Sequence, residues 1–147
     1  MPFVRSLATR LRVENRIDFR GWLRHTEIEQ GYQSADIVVV PSIWDDPCPI
    51  VGIEAMASGK PVVAFDVGGI SDWLRDKVTG LLVRDISPRG LAATVDSLLM
   101  DEDARLRMGA AAMEIAGEES GLDRHIDRLL EHLSRLIPKS ESGAISI

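Results

Sequence analysis

The sequence holds one cysteine (Cys48), one tyrosine and three histidines among 147 residues. A single cysteine excludes an intramolecular disulfide framework and any zinc site built from several thiolates. It suits a reducing compartment, and a cytoplasmic location is the expectation. No apolar run approaches the ~20 residues that a helical bilayer span requires. The opening "MPFVRSLATRLRVENR" carries charges every few residues, where a signal peptide would have its apolar core. A P-loop and a G-x-G-x-x-G turn are both missing, as are internal repeats and low-complexity blocks. Positive charge is also scarce: 17 basic against 23 acidic side chains leave a net charge of −6, which argues against nucleic acid as the main partner.

What is present reads as one soluble α/β domain. At 147 residues, 45% of them hydrophobic, the chain can bury a sizeable core. Four short apolar runs predict strands: "IDFRG" (17–21), "DIVVVPS" (36–42), "PVVAFD" (61–66) and "GLLV" (80–83). The middle two are almost wholly apolar, which predicts burial on both faces, as in a parallel sheet. Helical patterns lie between them. Phe3, Leu7 and Leu11 recur at helical spacing, and "HTEIEQGYQSA" (25–35) offers Thr26 as a cap ahead of Glu29. Residues Ile50 to Ala57 predict a buried helix closed by Gly59, and Ile70 to Arg75 a short one. Beyond residue 83 the pattern is helical only, with stripes at Leu91, Val95, Leu98 and Leu99, at Leu106, Ala110 and Met113, and from Leu122 through Ile126, Leu129, Leu130, Leu133 and Leu136 to Ile137. This alternation predicts a parallel sheet flanked by helices over residues 1–138, with a frayed tail at 139–147. A doubly wound unit usually opens with a strand and a glycine turn, whereas this chain opens with a helix.

Few residue groups carry chemistry. His125 and His132 are seven apart on one predicted helix and read as solvated surface. His25-Thr26-Glu27 matches half of a zinc deaminase signature, but no second cysteine follows Pro47-Cys48, so that reading fails. Cys48 as a nucleophile would need a base, and no histidine is near it in sequence. Gly68-Gly69 is compatible with a tight turn or with close approach of a ligand to the backbone. The loop before Ile50 is richer. It follows the strand "DIVVV", so the helix start near Pro49 or Ile50 lies at the carboxyl end of the sheet, where ligands bind in this architecture. Unpaired N–H groups at such a start favour an anion such as a diphosphate. Glu54 lies about one turn further in, roughly 6 Å at ~1.5 Å per residue. A carboxylate there is either a functional group or one satisfied by neighbouring backbone or a core arginine.

Taken in order, Pro41-Ser42, Trp44-Asp45-Asp46-Pro47, Glu54-Ala55-Met56-Ala57, Gly59-Lys60-Pro61-Val62-Val63 and Gly68-Gly69 resemble the C-terminal, donor-binding domain of retaining GT-B glycosyltransferases of the group 1 (family 4) type. That family includes many enzymes of lipopolysaccharide, capsule and glycolipid synthesis. The likeness runs from about Arg16 to the C-terminal helices and takes in "RIDFRGWL", "YQSADIVVVPS", "TGLLV" and "RLRMGAAA". The array in order is far more specific than any one motif. The family's hallmark is a pair of glutamates with seven residues between them. The resemblance implies that Glu54, at the second position, hydrogen-bonds the ribose of a nucleotide-sugar. With seven residues between, Asp46 stands upstream of it in place of the first glutamate, beside the transferred sugar. Its side chain is about one methylene shorter, and misplacement of that order can cost on the order of 100-fold in rate unless the loop moves inward. Cys48-Pro49 replaces the usual Phe-Gly. Pro49 has no N–H to donate, which leaves Ile50 and Val51 as donors to sugar or phosphate, with Cys48 beside them. Trp22 and Leu23 would line the base pocket or simply pack.

The resemblance further implies a Rossmann-like sheet, the C-terminal half of a GT-B fold, without its first strand. No metal and no cofactor are expected; the nucleotide-diphosphate sugar is the substrate. The family's acceptor-binding N-terminal domain and the Arg/Lys pair that clamps the diphosphate both precede the residues present here. The isolated chain is therefore expected to be inactive, and the glycan or lipid-linked acceptor, with any peripheral membrane contact, would come through the missing domain. A non-catalytic module that keeps the fold and binds nucleotide weakly is the second reading. A nucleotide-sugar epimerase is a third, opposed by the Ala-Met-Ala and Gly-Lys-Pro context after Glu54. The open sheet edge predicts poor solubility or dimerisation, the latter through an interface covering residues 17–21 or 36–42. Analytical ultracentrifugation should show a dimer; a well-behaved monomer would count against it.

Overall fold

A computed structural model of the chain describes residues 2–119 and 122–136. The expected tail at 139–147, Ile137 and the side chains of Leu122, His125 and Leu136 lie outside the described residues. The chain divides into two compact units, Met1–Gly31 and Tyr32–Ile147.

In the first unit, helix Pro2–Arg10 (α1) leads through a left-handed Arg12 (φ 58°) to a 3-10 turn at Glu14–Arg16. Ala8 is its buried residue, while Phe3 and Leu11 are exposed, so the expected Phe3-Leu7-Leu11 stripe is not a buried face. The Arg5 guanidinium lies 4.5 Å from the centre of the Phe19 ring and donates to the Phe19 carbonyl at 3.5 Å. The expected strand at 17–21 does not form. Ile17 is extended (φ −119°, ψ 121°), but no described residue ladders with the segment, and extended backbone becomes a strand only when a neighbour completes its hydrogen bonds. The next helix, His25–Ser34 (α2), begins in this unit, and its residues from Tyr32 on belong to the second. Its cap is not Thr26 with Glu29. Glu27 reaches back to accept from the Arg24 N–H at 2.8 Å, the reciprocal half of a capping box. That N–H, and then the Arg24 guanidinium, holds the Glu27 carboxyl below its ordinary value.

In the second unit three parallel strands, Val38–Val40 (β1), Val62–Phe65 (β2) and Gly80–Val83 (β3), lie in the order β1-β2-β3. Val38 pairs with Val62, and Val62 with Gly80. The connections carry helices Ile50–Ala57 (α3) and Ile70–Trp73 (α4), followed by Pro88–Leu99 (α5), Glu102–Glu119 (α6) and Leu122–Leu136 (α7). The α/β expectation, with a parallel sheet flanked by helices, holds. Strand β2 is buried throughout, its residues no more than 4% exposed. Its alternation places Val62 and Ala64 in a cluster with Ala55, Met56, Ile70, Leu74, Ala112 and Ala116. Val63 and Phe65 enter the opposite cluster with Val83, Leu98 and Ala104. β1, at the edge of the sheet, is not buried on both faces as expected, since Val39 is exposed.

Four helical expectations change in this unit. α3 is not buried all round: Ile50 and Val51 in its first turn are exposed, and Gly52, Ala55 and Met56 form its buried side. α4 stops at Trp73 rather than Arg75. The expected α6 stripe faces solvent, because Leu106, Ala110 and Met113 are exposed while Ala104, Gly109, Ala112 and Ala116 are buried. The reason is distance. A Cβ at Gly109 would stand 2.3 Å from the carbonyl oxygen of Gly59, so α6 approaches the end of α3 backbone to backbone. Only small residues fit such a face. Along α7, Ile126, Leu129, Leu130 and Leu133 are exposed, so the longest apolar stripe is not core here.

The turn that receives α6 is a Schellman motif. Gly59 is left-handed (φ 73°), its N–H donates to the Met56 carbonyl at 2.9 Å, and the Lys60 N–H donates to Ala55 at 3.0 Å. Ser87 caps α5, accepting from the Gly90 N–H at 3.0 Å with Pro88 in the first turn. A Cβ at Gly117, on the same helix as Gly109, meets no atom within 4 Å. The two glycines should therefore respond with opposite signs. In urea denaturation, Gly109→Ala is expected to destabilise by about 1–3 kcal/mol. Gly117→Ala should stabilise by up to ~1 kcal/mol through helix propensity. Equal effects at the two positions would contradict the close approach.

Candidate functional site

Parallel pairing brings the carboxyl ends of β1, β2 and β3 to one edge of the sheet, and the segments leaving them form the candidate site. From β1 comes the loop 41–49, from β2 the turn 66–69, and from β3 Arg84. Asp66 and Arg84 approach to 3.7 Å across the last two, a largely exposed pair that contributes little stability.

The loop after β1 is tightly folded around Asp46. The Asp46 N–H donates to the Trp44 carbonyl at 2.7 Å, its carbonyl accepts from the Gly69 N–H at 3.1 Å, and its carboxylate Oδ1 accepts from the Cys48 N–H at 3.3 Å. The last contact is an Asx turn, available to aspartate because its short side chain reaches the backbone two residues on. The glycine pair explains how the loop is seated. Gly68 is left-handed (φ 54°), and a Cβ on it would lie 2.8 Å from both the N and O of Asp46. A Cβ on Gly69 would lie 2.3 Å from the Pro47 carbonyl oxygen. The backbone that approaches Gly68-Gly69 is therefore the chain's own loop, 45–47. Asp45, Cys48, Trp44 and Ile43 are exposed.

Pro49, with φ −68° and ψ 102°, is the cap of α3 rather than its first helical residue. The Gly52 N–H already donates to the Pro49 carbonyl at 2.9 Å. The N–H groups of Ile50 and Val51 have no carbonyl within the helix to reach. Glu54 is half-buried on the next turn of the helix. The Tyr32 hydroxyl donates to its Oε2 at 3.0 Å. Tyr32 stands in the last turn of α2 and packs its ring against the cluster around β2 and α3. Sequence reasoning passed over this residue, since the pair is separated by 22 positions and no local pattern joins them. The structure thus brings Asp46, Cys48, Ile50, Val51 and Glu54 onto one loop and helix start. Trp22 and Leu23 belong to the first unit, Trp22 fully exposed and Leu23 half-buried. His25 pairs with Glu29 at 3.4 Å on exposed helix surface. Among the described residues no group of three or more His, Cys, Asp and Glu side chains is gathered as a metal site would need, and no helix is long and apolar enough to cross a membrane.

A parallel α/β sheet with a loop of this sequence at its carboxyl edge defines the donor-binding fold of GT-B glycosyltransferases, and the comparisons agree. The sequence profile of the family "Glycosyl transferases group 1" matches residues 3–115, and the chain belongs to that family. It is 42% identical over 112 residues to the D-inositol 3-phosphate glycosyltransferase of Corynebacterium glutamicum (strain R), across 76% of this chain and 27% of that protein. The protein of the same name from Nocardia farcinica is 42% identical over 108 residues, across 74% of this chain and 24% of that one. This chain thus spans about a quarter of the length of these relatives. Among solved structures, Anabaena Alr3699/HepE in complex with UDP superposes with a TM-score of 0.84 at 29% identity, covering 91% of this chain and 36% of that one. The same protein has been solved with UDP-glucose. Sucrose-phosphate synthase from Thermosynechococcus elongatus gives a TM-score of 0.81 at 28% identity, over 91% of this chain and 34% of that one.

The Tyr32 phenol is pushed up to about 12, first by burial, then by the hydrogen bond it donates to Glu54 and by the charge of that carboxylate. The folded value lies above the ordinary 10.0, so the neutral phenol's contribution to stability is whole below pH 10 and is lost as pH rises through 12. Tyr32 is the chain's single tyrosine, so its ionisation can be read directly from tyrosinate absorbance. The folded chain should titrate well above the unfolded one, and Glu54→Gln should move the midpoint down. A folded-state midpoint at the ordinary value would remove the contact.

Proposed function

We propose that the chain is the donor-binding portion of a glycosyltransferase that moves a sugar from a nucleotide-diphosphate sugar to a glycan or lipid-linked acceptor with retention of configuration. The observation that carries this reading is Glu54. It is a half-buried carboxylate one turn into the helix at the carboxyl edge of the sheet, held by a neutral hydroxyl, in the register that the family's ribose contact occupies. A carboxylate in so apolar a helix would cost stability without a partner, and a ribose offers two hydroxyl donors to such a group.

In this reading Glu54 takes the ribose, and the N–H groups of Ile50 and Val51 face the sugar or diphosphate at the positive end of the α3 dipole. Asp46 stands beside the transferred sugar, where its negative charge stabilises the positive charge that develops at the anomeric carbon as the diphosphate departs. Cys48 supports Asp46 through its N–H. Neither a metal nor a cofactor is required in this reading: the N–H groups at the start of α3 answer part of the diphosphate charge, and the family's Arg/Lys pair would supply the rest from the segment that precedes these residues in longer relatives. The acceptor, and any peripheral contact of a cytoplasmic enzyme with the membrane, would be handled by an N-terminal domain like that of the longer relatives. Without that half the chain would bind donor and transfer little. A non-catalytic module is the second reading. It is favoured by the engagement of the Asp46 carboxylate with its own loop at Cys48, since a group so held must turn outward to meet a sugar.

Titration calorimetry with UDP, GDP and ADP separates these readings from no site at all. At least one nucleotide should bind, and Glu54→Ala should weaken it by about tenfold or more. Asp46→Asn should leave diphosphate binding nearly unchanged while abolishing transfer once an acceptor domain is supplied. A folded chain that binds none of the three at millimolar concentration would sink the proposal.

A further inference from the structure

Tyr32 meets the candidate site through the hydrogen bond from its hydroxyl to Glu54 Oε2 at 3.0 Å. Three features of that contact go beyond tying α2 to α3. First, the donor is neutral. With its phenol pushed up to about 12, Tyr32 keeps its proton at any physiological pH, so it satisfies one acceptor position without cancelling the negative charge. A lysine or arginine there would neutralise the carboxylate and surround it with competing donors. Second, the count of acceptor positions leaves room. An ionised carboxylate offers about four lone-pair sites, and the Tyr32 hydroxyl takes one of them, on Oε2. Third, Tyr32 is itself anchored. Its ring packs against the cluster formed by β1, β2, α3 and α6, so its hydroxyl is held in place before any ligand arrives. Glutamate has three rotatable side-chain bonds, and a carboxylate ordered in advance avoids the entropy that a free one loses on binding.

We propose that Tyr32 is a positioning residue for nucleotide recognition: it orders Glu54 and turns the free face of that carboxylate toward the two hydroxyls of the donor ribose. The chain would thereby distinguish ribonucleotides from deoxyribonucleotides through a residue that does not touch the ligand. This inference rests on the reading of Glu54 as the ribose contact.

The test is calorimetry on the 147-residue chain with whichever of UDP, GDP and ADP binds, beside the 2′,3′-dideoxy analogue of the same nucleotide. Tyr32→Phe should weaken the ribonucleotide by about 5- to 10-fold, the effect of one lost hydrogen bond, and the dideoxy analogue by less than about twofold. In Glu54→Gln the further change Tyr32→Phe should have a much smaller effect, because the two act as one unit. A tyrosine that only ties helices together would lower the melting temperature and leave the ratio of ribo to dideoxy affinity unchanged. That result overturns the proposal while leaving Glu54 as the ribose contact. Absence of binding by the folded wild-type chain overturns both. Should Tyr32→Phe not fold, 3-fluorotyrosine incorporated at the single tyrosine gives a second measurement. Its ¹⁹F resonance should shift at saturation with the ribonucleotide and hold its position with the dideoxy analogue, and equal shifts with both would refute the proposal.

Discussion

Burial of β2 on both faces is the constraint from which the second unit follows. Its four residues are closed off by α3, α4 and α6 on one side and by α5 and the start of α6 on the other. A strand so covered must satisfy its backbone in the sheet, and it does so by parallel pairing with β1 and β3. Parallel pairing in turn brings three strand ends to one edge. The loop bearing Asp46, the glycine pair and the start of α3 are neighbours because of that alignment, although up to 28 sequence positions separate Pro41 from Gly69.

Fine placement comes from backbone meeting backbone. At one end of α3 the loop 45–47 lies against Gly68-Gly69. At the other the Gly59 turn accepts α6 at Gly109. Side chains at these points would hold the parts ~1–2 Å further apart, a displacement that matters wherever reacting groups must meet. The same economy of space explains why α6 buries alanines and a glycine while leaving Leu106 and Met113 in solvent. Hydrophobicity alone would have turned that helix the other way, but a leucine has no room where two backbones touch.

Glu54 sets a charged side chain into this apolar frame. Desolvating a carboxylate is costly, and the structure answers with a phenol rather than a cation. The choice keeps the charge available while removing much of its freedom, which suits a group whose work is to accept hydrogen bonds from a ligand. Asp46 is arranged differently. Its backbone is fixed on both sides by the Trp44 carbonyl and the Gly69 N–H, and its short carboxylate leans on the Cys48 N–H. The departure from glutamate at this position is thus matched by a loop that an Asx turn stabilises.

Much of this was legible before any fold was in view. The apolar runs at 62–65 and 80–83 report strands because both faces of a parallel sheet are apolar, and Gly59 reports a helix end because only glycine takes its left-handed turn without cost. The order of Asp46, Glu54, Ala55-Met56-Ala57 and Gly59-Lys60-Pro61 carries the family, since those residue types are tied to one another by a loop–helix–strand unit whose parts are adjacent in the chain. What the sequence could not determine is everything decided between distant segments. Whether 17–21 becomes a strand depends on a partner to ladder with, not on its own composition. Which face of α6 is buried depends on the Gly59 carbonyl 50 residues away. That Glu54 is held by Tyr32, 22 residues upstream, depends on Tyr32 packing against the core that α3 shares. Local periodicity reports what each segment prefers; only the tertiary structure sets the distances, and hydrogen bonds and close contacts respond to distance.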